Sequence, residues 1–302
     1  MANWFERLTL GDPRRADFRK EDLPDTRRQL FWDVLKVRLW KMIGLNGLWL
    51  LFSVPAIIWI MITAILLTQQ INDAGSAAAI FNTVIVPTLQ TFLLIMIPLG
   101  VISGIGKAGM SHVINQWAYD DNAWTWDGFW EGVKLHWRQS LLARLVNGIV
   151  WLILITAFLF YSGNSAYFTQ QGSGALFYSL GSWFMLCLML IFWMVGQYIW
   201  PLMTTYKMKF SYLYRNAFVL SLGRLPETLL VCLGQFLLPA AFYFLGGNIM
   251  VMGNFIYVSL IGAVWGQFLA SSYAHNAFDR YINRHIKGAV VNRGLTSVYT
   301  VE

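Results

Sequence analysis

The chain has 302 residues, 57% of them hydrophobic and only 12% charged, with a net charge of +7. A soluble domain carries about 25% charged residues, so the composition argues against a water-soluble fold and for a membrane protein. The basic residues are spread along the chain between long uncharged stretches, which argues against a nucleic-acid-binding patch.

In chain order, a mixed-charge segment over 1–24 comes first and reads as a cytoplasmic N-terminal segment. Apolar sequence begins near residue 42, and that run is too long for the core of a cleavable signal, so the first helix acts as its own membrane signal. Four stretches lack Asp, Glu, Lys and Arg altogether: 42–72, 74–106, 145–206 and 228–278. A spanning helix needs about 20 mostly apolar residues. The first two stretches hold one helix each and the longer two hold two each. The predicted spans are 45–67, 84–106, 145–162, 176–203, 228–245 and 250–271. Glycine, serine and amide residues over 163–174, and Gly246-Gly247-Asn248, mark the tight turns. The expected fold is all-α, a membrane bundle of six transmembrane helices over 25–272, followed by a cytoplasmic tail over 273–302.

Orientation follows from the bases. Ten Lys and Arg precede the first span, four lie between the second and third, four between the fourth and fifth, and four follow the sixth, which accounts for all 22. The alternate loops contain none. Basic loops resist translocation, so both termini are expected in the cytoplasm.

The chain reads as three copies of one unit, an amphipathic interfacial helix followed by a transmembrane hairpin. Phe31-Trp32-Asp33 with Lys36 and Trp40 precedes the first hairpin. Phe129-Trp130-Glu131 with Lys134 and Trp137 precedes the second, and Tyr212, Tyr214, Arg215 and Phe218 form a weaker counterpart before the third. Trp126, Trp130 and Trp137 share one helical face and are expected at headgroup depth, in contact with membrane lipids. The second helices of the hairpins echo each other. Gly100, Gly104 and Ala108 match Gly262, Gly266 and Ala270, and Gly196-Gln197 matches Gly266-Gln267. Small residues at this spacing let helices approach closely, so the second helices are expected to meet there.

The catalytic inventory is thin. None of the six predicted spans contains an ionisable acid or base, which argues against ion-coupled pumping. Their polar residues are amides and hydroxyls, among which Gln197 and Gln267 stand beside the repeated glycines. Pro55, Pro98, Pro201 and Pro239 are expected to kink their helices. His112, His136, His275 and His285 lie outside the spans and form no zinc-binding pair. Cys187 and Cys232 lack any pairing or metal spacing and read as small apolar residues. No phosphate-cradling glycine loop is present. The expectation is a protein with no enzymatic activity, no cofactor and no metal.

The run Lys107-Ala108-Gly109-Met110-Ser111-His112-Val113-Ile114, with Trp126-Asp127-Gly128-Phe129-Trp130 and Trp137-Arg138-Gln139-Ser140-Leu141, resembles the YesL family. So does the tail Phe278-Asp279-Arg280-Tyr281-Ile282-Asn283 with Gly288-Ala289-Val290-Val291-Asn292-Arg293-Gly294. The likeness covers roughly 28–295 and departs from the family over 68–83 and around 98–106. It implies a multi-pass protein of the bacterial cytoplasmic membrane, with no catalytic residues to carry over. It also implies an accessory or regulatory component of carbohydrate uptake, partnered with an ABC importer or its regulator. The alternative is a stand-alone permease or channel for a small neutral solute.

Overall fold

The computed structural model describes residues 24–73, 80–119, 121, 124–163 and 175–295. The segment expected over 1–23, the turn over 164–174 and the end of the tail from 296 lie outside the described residues. Among the described residues there is no strand. Helix α1 runs over Arg27–Asp73, and a π-helical segment at Ile80–Ile85 leads into α2, Val86–Trp117. Then come α3 (Thr125–Gly163), α4 (Ala175–Thr205), the short α5 (Phe210–Gly223) and α6 (Leu225–Leu245). The last span is α7 (Gly247–Tyr257) and α8 (Ala263–Tyr281), joined by a π-helical turn at Val258–Gly262. All six predicted spans fall inside these helices. Their most apolar windows have mean hydropathies of 1.7 to 2.6, and at most 11% of any window is buried within the protein. So much outward apolar surface must be covered by lipid. The chain is an integral membrane protein with six spanning helices.

Two of the three amphipathic segments are not separate helices. The aromatic segments before the first and second hairpins are continuous with α1 and α3, because no proline or glycine pair interrupts either junction. Only the third is detached. α5 ends at Gly223, Arg224 leaves helical geometry (φ −132°, ψ 47°), and Pro226 opens α6 from its first turn. The turn between α6 and α7 is the one expected. Gly246 and Gly247 both take positive φ, 67° and 52°, a backbone that side-chain-bearing residues rarely adopt. α8 continues past 273 to Tyr281, and the chain then folds back so that Leu295 joins the buried cluster that holds Leu30 and Trp117.

The hairpins pack in a cyclic order. The second helices α2, α4 and α8 touch one another in the middle. Each first helix leans on its own second helix and on that of the preceding hairpin. α1 lies against α2 and α8, α3 against α4 and α2, and α6 against the α7–α8 span and α4. That is the arrangement a three-fold internal repeat would make. The tightest packing gathers at the end of the bundle that carries the Lys and Arg residues, here the basic end. One cluster there joins Val34, Met42, Met110, Trp117, Phe129 and Phe268. Another joins Tyr198, Leu202, Leu213, Ala217 and Phe278.

The basic end supplies the orientation test. In a background lacking Cys187 and Cys232, a cysteine at Ala74 or Ser173 is expected to react with an impermeant thiol reagent outside intact cells. One at Lys287, exposed at the basic end, is expected to stay unlabelled until the membrane is opened. Ser111 is fully buried, so silence there would report burial rather than sidedness. Outside labelling at Lys287 would reverse the orientation.

Candidate functional site

A cavity of about 320 Å³ lies where the three second helices meet. α2 supplies Lys107, α3 supplies Arg144, Asn147 and Trp151, and α4 supplies Phe192, Trp193, Gly196, Gln197 and Trp200. α6 adds Gln235, and Gly262, Gly266, Gln267 and Ala270 close the far wall. The residues from each helix recur at helical spacing: 144, 147 and 151 on α3, and 193, 196, 197 and 200 on α4. Counted from the predicted span ends at 1.5 Å per residue, Trp193 lies about 15 Å in from the basic side, near mid-membrane.

The amides in the wall hold each other. Gln235 donates through Nε2 to the Gln197 side-chain oxygen at 2.5 Å and to the Gly266 carbonyl at 3.1 Å. The Tyr257 hydroxyl donates to the Gln235 carbonyl at 3.3 Å. Gln267 is buried and donates to Ser271 Oγ one turn on. The Tyr214 hydroxyl of α5 donates to Asn147 Oδ1 at 2.9 Å. Gln197 and Gln267 therefore both line the cavity, and the residue that couples to Gln197 is Gln235.

The small residues do several different things. Gly104 is a true close approach: a Cβ there would meet Arg144 Cγ at 2.9 Å and the Ser140 carbonyl at 3.3 Å, and Ser140 Oγ donates to the Gly104 carbonyl. Ala108 is fully buried. A Cβ at Gly100 would meet nothing within 4 Å, so no close approach requires a glycine there. Gly262 faces Tyr257 of its own span, and a Cβ at Gly266 would only reach ordinary contact with Gln235 at 3.6 Å. Gly262, Gly266 and Ala270 line the cavity wall. Two further contacts close α2 on α3, Gly109 against Phe129 and Gly132 against His112. Gly109 falls just past the 100, 104, 108 series, and Gly132 lies on the neighbouring helix.

Lys107 and Arg144 are absent from the sequence-based expectation because each stands one residue outside a predicted span, where a base reads as a topology signal. Both turn inward. The Lys107 ammonium lies 5.8 Å and the Arg144 guanidinium 5.3 Å from the centre of the Trp200 ring. The stem of Arg144 packs over Gly104. Spacing held a hint, since Lys107 follows Gly104 by three residues and so shares its face.

The basic end carries a polar clamp. Arg27 of α1 pairs with Asp279 of α8 at 2.6 Å, and Asn283 donates to the same carboxylate at 2.8 Å. The Tyr206 hydroxyl donates to Asn283 at 2.6 Å. Burial first, and then the Asp279 charge, pushes the nearby Tyr119 hydroxyl up to about 12, so it stays protonated. Trp126, Trp130 and Trp137 are all exposed. Trp130 lies edge-on to Phe52, a residue of the first predicted span, at 6.2 Å, which keeps this stretch of α3 beside the apolar part of α1. The His112 and His136 rings lie tilted to each other with centres 5.6 Å apart, but among the described residues no group of His, Cys, Asp and Glu is arranged to hold a metal.

Comparison of the chain with protein-family models, with curated proteins and with solved structures gave no match.

Proposed function

We propose that the protein resides in the bacterial cytoplasmic membrane, with its basic end and both termini in the cytoplasm, and binds a small polar solute in the cavity between α2, α4 and α8. The observation that carries this reading is the cavity itself, a polar space inside an apolar bundle. Polar groups at membrane depth cost stability unless they are paired, and a binding role is a standard reason for keeping them. Indole rings beside amide groups suit a carbohydrate, whose C–H faces rest on aromatic surface while its hydroxyls exchange hydrogen bonds with amides.

The resemblance to the YesL family adds the setting: an accessory or regulatory component of carbohydrate uptake, acting by contact with an ABC importer or its regulator and carrying out no reaction. α8 supplies cavity residues at one end and the Asp279 pair at the other, so occupancy of the cavity has a direct route to the basic end. The stand-alone permease keeps one observation in its favour. The π-helical turn ends at Gly262 in the cavity wall, and broken helices at mid-membrane are where carriers place their substrates.

Gly196 lines the cavity and a Cβ built there would meet nothing within 4 Å, so Gly196→Phe should fill the space without moving a helix. The full-length protein in nanodiscs is expected to bind at least one member of a panel of labelled mono- and disaccharides. Gly196→Phe is expected to weaken that binding at least ~tenfold at unchanged melting temperature. Equal binding by both proteins would remove the cavity from the function, and no binding of any sugar would remove the carbohydrate. Sugar uptake into liposomes by the purified protein alone, lost in Gly196→Phe, would select the permease.

A further inference from the structure

Resting on that solute site, we infer that the cavity is built for an anion, and that Lys107 and Arg144 together hold a phosphate or carboxylate group of the ligand. Both are half-buried and both line the cavity. No carboxylate shares the lining. Among the described residues neither cation has an ion pair, and Arg144 Nε is buried with no hydrogen-bond partner. What they do have is the Trp200 ring, which each approaches within 6 Å. A cation–π contact offsets part of a charge's desolvation but leaves every N–H donor free.

Two like charges beside one buried indole repel each other and are costly without a counter-charge. Bases at the end of a spanning helix can avoid that cost by reaching outward to the headgroups. These two do the opposite. Gly104 removes the Cβ that would block the stem of Arg144, and this directs the side chain to the cavity. A planar guanidinium offers paired donors to the oxygens of an oxyanion, and an ammonium adds a point charge. The hydrogen-bonding capacity that Asn147, Gln197 and Gln235 do not use within the wall is left for the neutral part of the same ligand.

The anionic group has two sources with this chemistry, a soluble small molecule entering from the basic side or the headgroup of an anionic lipid. Thermal unfolding of the full chain at constant ionic strength separates them. One arm titrates inorganic phosphate in zwitterionic nanodiscs, and the other replaces part of the zwitterionic lipid with phosphatidylglycerol. The wild-type protein is expected to gain melting temperature in at least one arm. Lys107→Gln and Arg144→Gln are each expected to weaken that response at least ~tenfold in concentration while leaving the ligand-free protein as stable as wild type or more so. A shift with phosphate alone assigns a soluble anion, and a shift with phosphatidylglycerol alone assigns a lipid headgroup. The inference is overturned if neither arm shifts, if the double variant responds like wild type, or if either single variant destabilises the ligand-free protein. If Gly196→Phe abolishes sugar binding while the cation variants retain it, the solute site stands and the anion assignment falls.

Discussion

Gly132→Leu is expected to leave almost no folded protein, whereas Gly100→Leu should behave as wild type. A Cβ at Gly132 would lie 2.3 Å from His112 Cβ and 3.1 Å from Gly109 Cα, so even alanine forces α3 off α2. The matching surface is equally tight, since a Cβ at Gly109 would lie 2.6 Å from the Phe129 carbonyl oxygen. Overpacking a closed interface costs about 1–3 kcal/mol where neighbours can shift, and here the obstacles include backbone. Gly100 has open space on every side of its missing Cβ. The yield of monodisperse protein after size-exclusion chromatography reads both variants. Equal yields from Gly132→Leu and Gly100→Leu would mean that α2 and α3 are not packed as described.

Asn46→Leu is expected to be nearly as damaging although it preserves side-chain size. Asn46 is fully buried on α1 and serves the π-helical turn of the last span. Its Nδ2 donates to the carbonyls of Val258 at 3.0 Å and Ser259 at 2.8 Å, while its Oδ1 accepts from the backbone N–H of Ala263 at 3.2 Å and Val264 at 3.3 Å. A π-helical turn shifts the ladder of backbone bonds, and one amide satisfies the groups left over. At roughly 1 kcal/mol for each of four bonds, the loss is about 4 kcal/mol. Asn254→Leu is the control, because Asn254 donates only to the Met250 carbonyl of its own helix, and it should cost about 1 kcal/mol or less. Thermal unfolding in detergent measures both. A variant at Asn46 with unchanged stability and faster amide exchange confined to 258–264 would show that the turn rewinds without need of the side chain.

The spans were legible because lipid imposes a one-dimensional rule. A run of twenty residues without a charge is visible without knowing its neighbours, and all six runs are helices in the structure. The turn at Gly246-Gly247 was legible for a similarly local reason, a backbone that only glycine adopts freely. The cavity was not. Lys107 and Arg144 sit at the span ends, where composition assigns them to the interface, and only the missing Cβ of Gly104 on another helix turns Arg144 inward. The glycine series was readable as a face but not as a contact. Periodicity says that 100, 104 and 108 share a side of α2, yet it does not say that α3 closes on 104 while a Cβ at 100 would meet open space. Asn46 gave no local signal, since the π-helical turn that it serves is 212 residues away.

That separation has a consequence for how the molecule is made. The first helix enters the bilayer with Asn46 still waiting for the carbonyls of Val258 and Ser259. A ribosome adding about 5–20 residues per second needs roughly 10–40 s to reach them. Through that interval the earliest segment holds a bare amide among acyl chains or in the shelter of the insertion machinery. The ring of hairpins cannot close until the final one arrives, because α1 packs against the α7–α8 span. Truncated products of this gene would therefore lack the lock on their own first helix, which makes them natural substrates for membrane quality-control proteases.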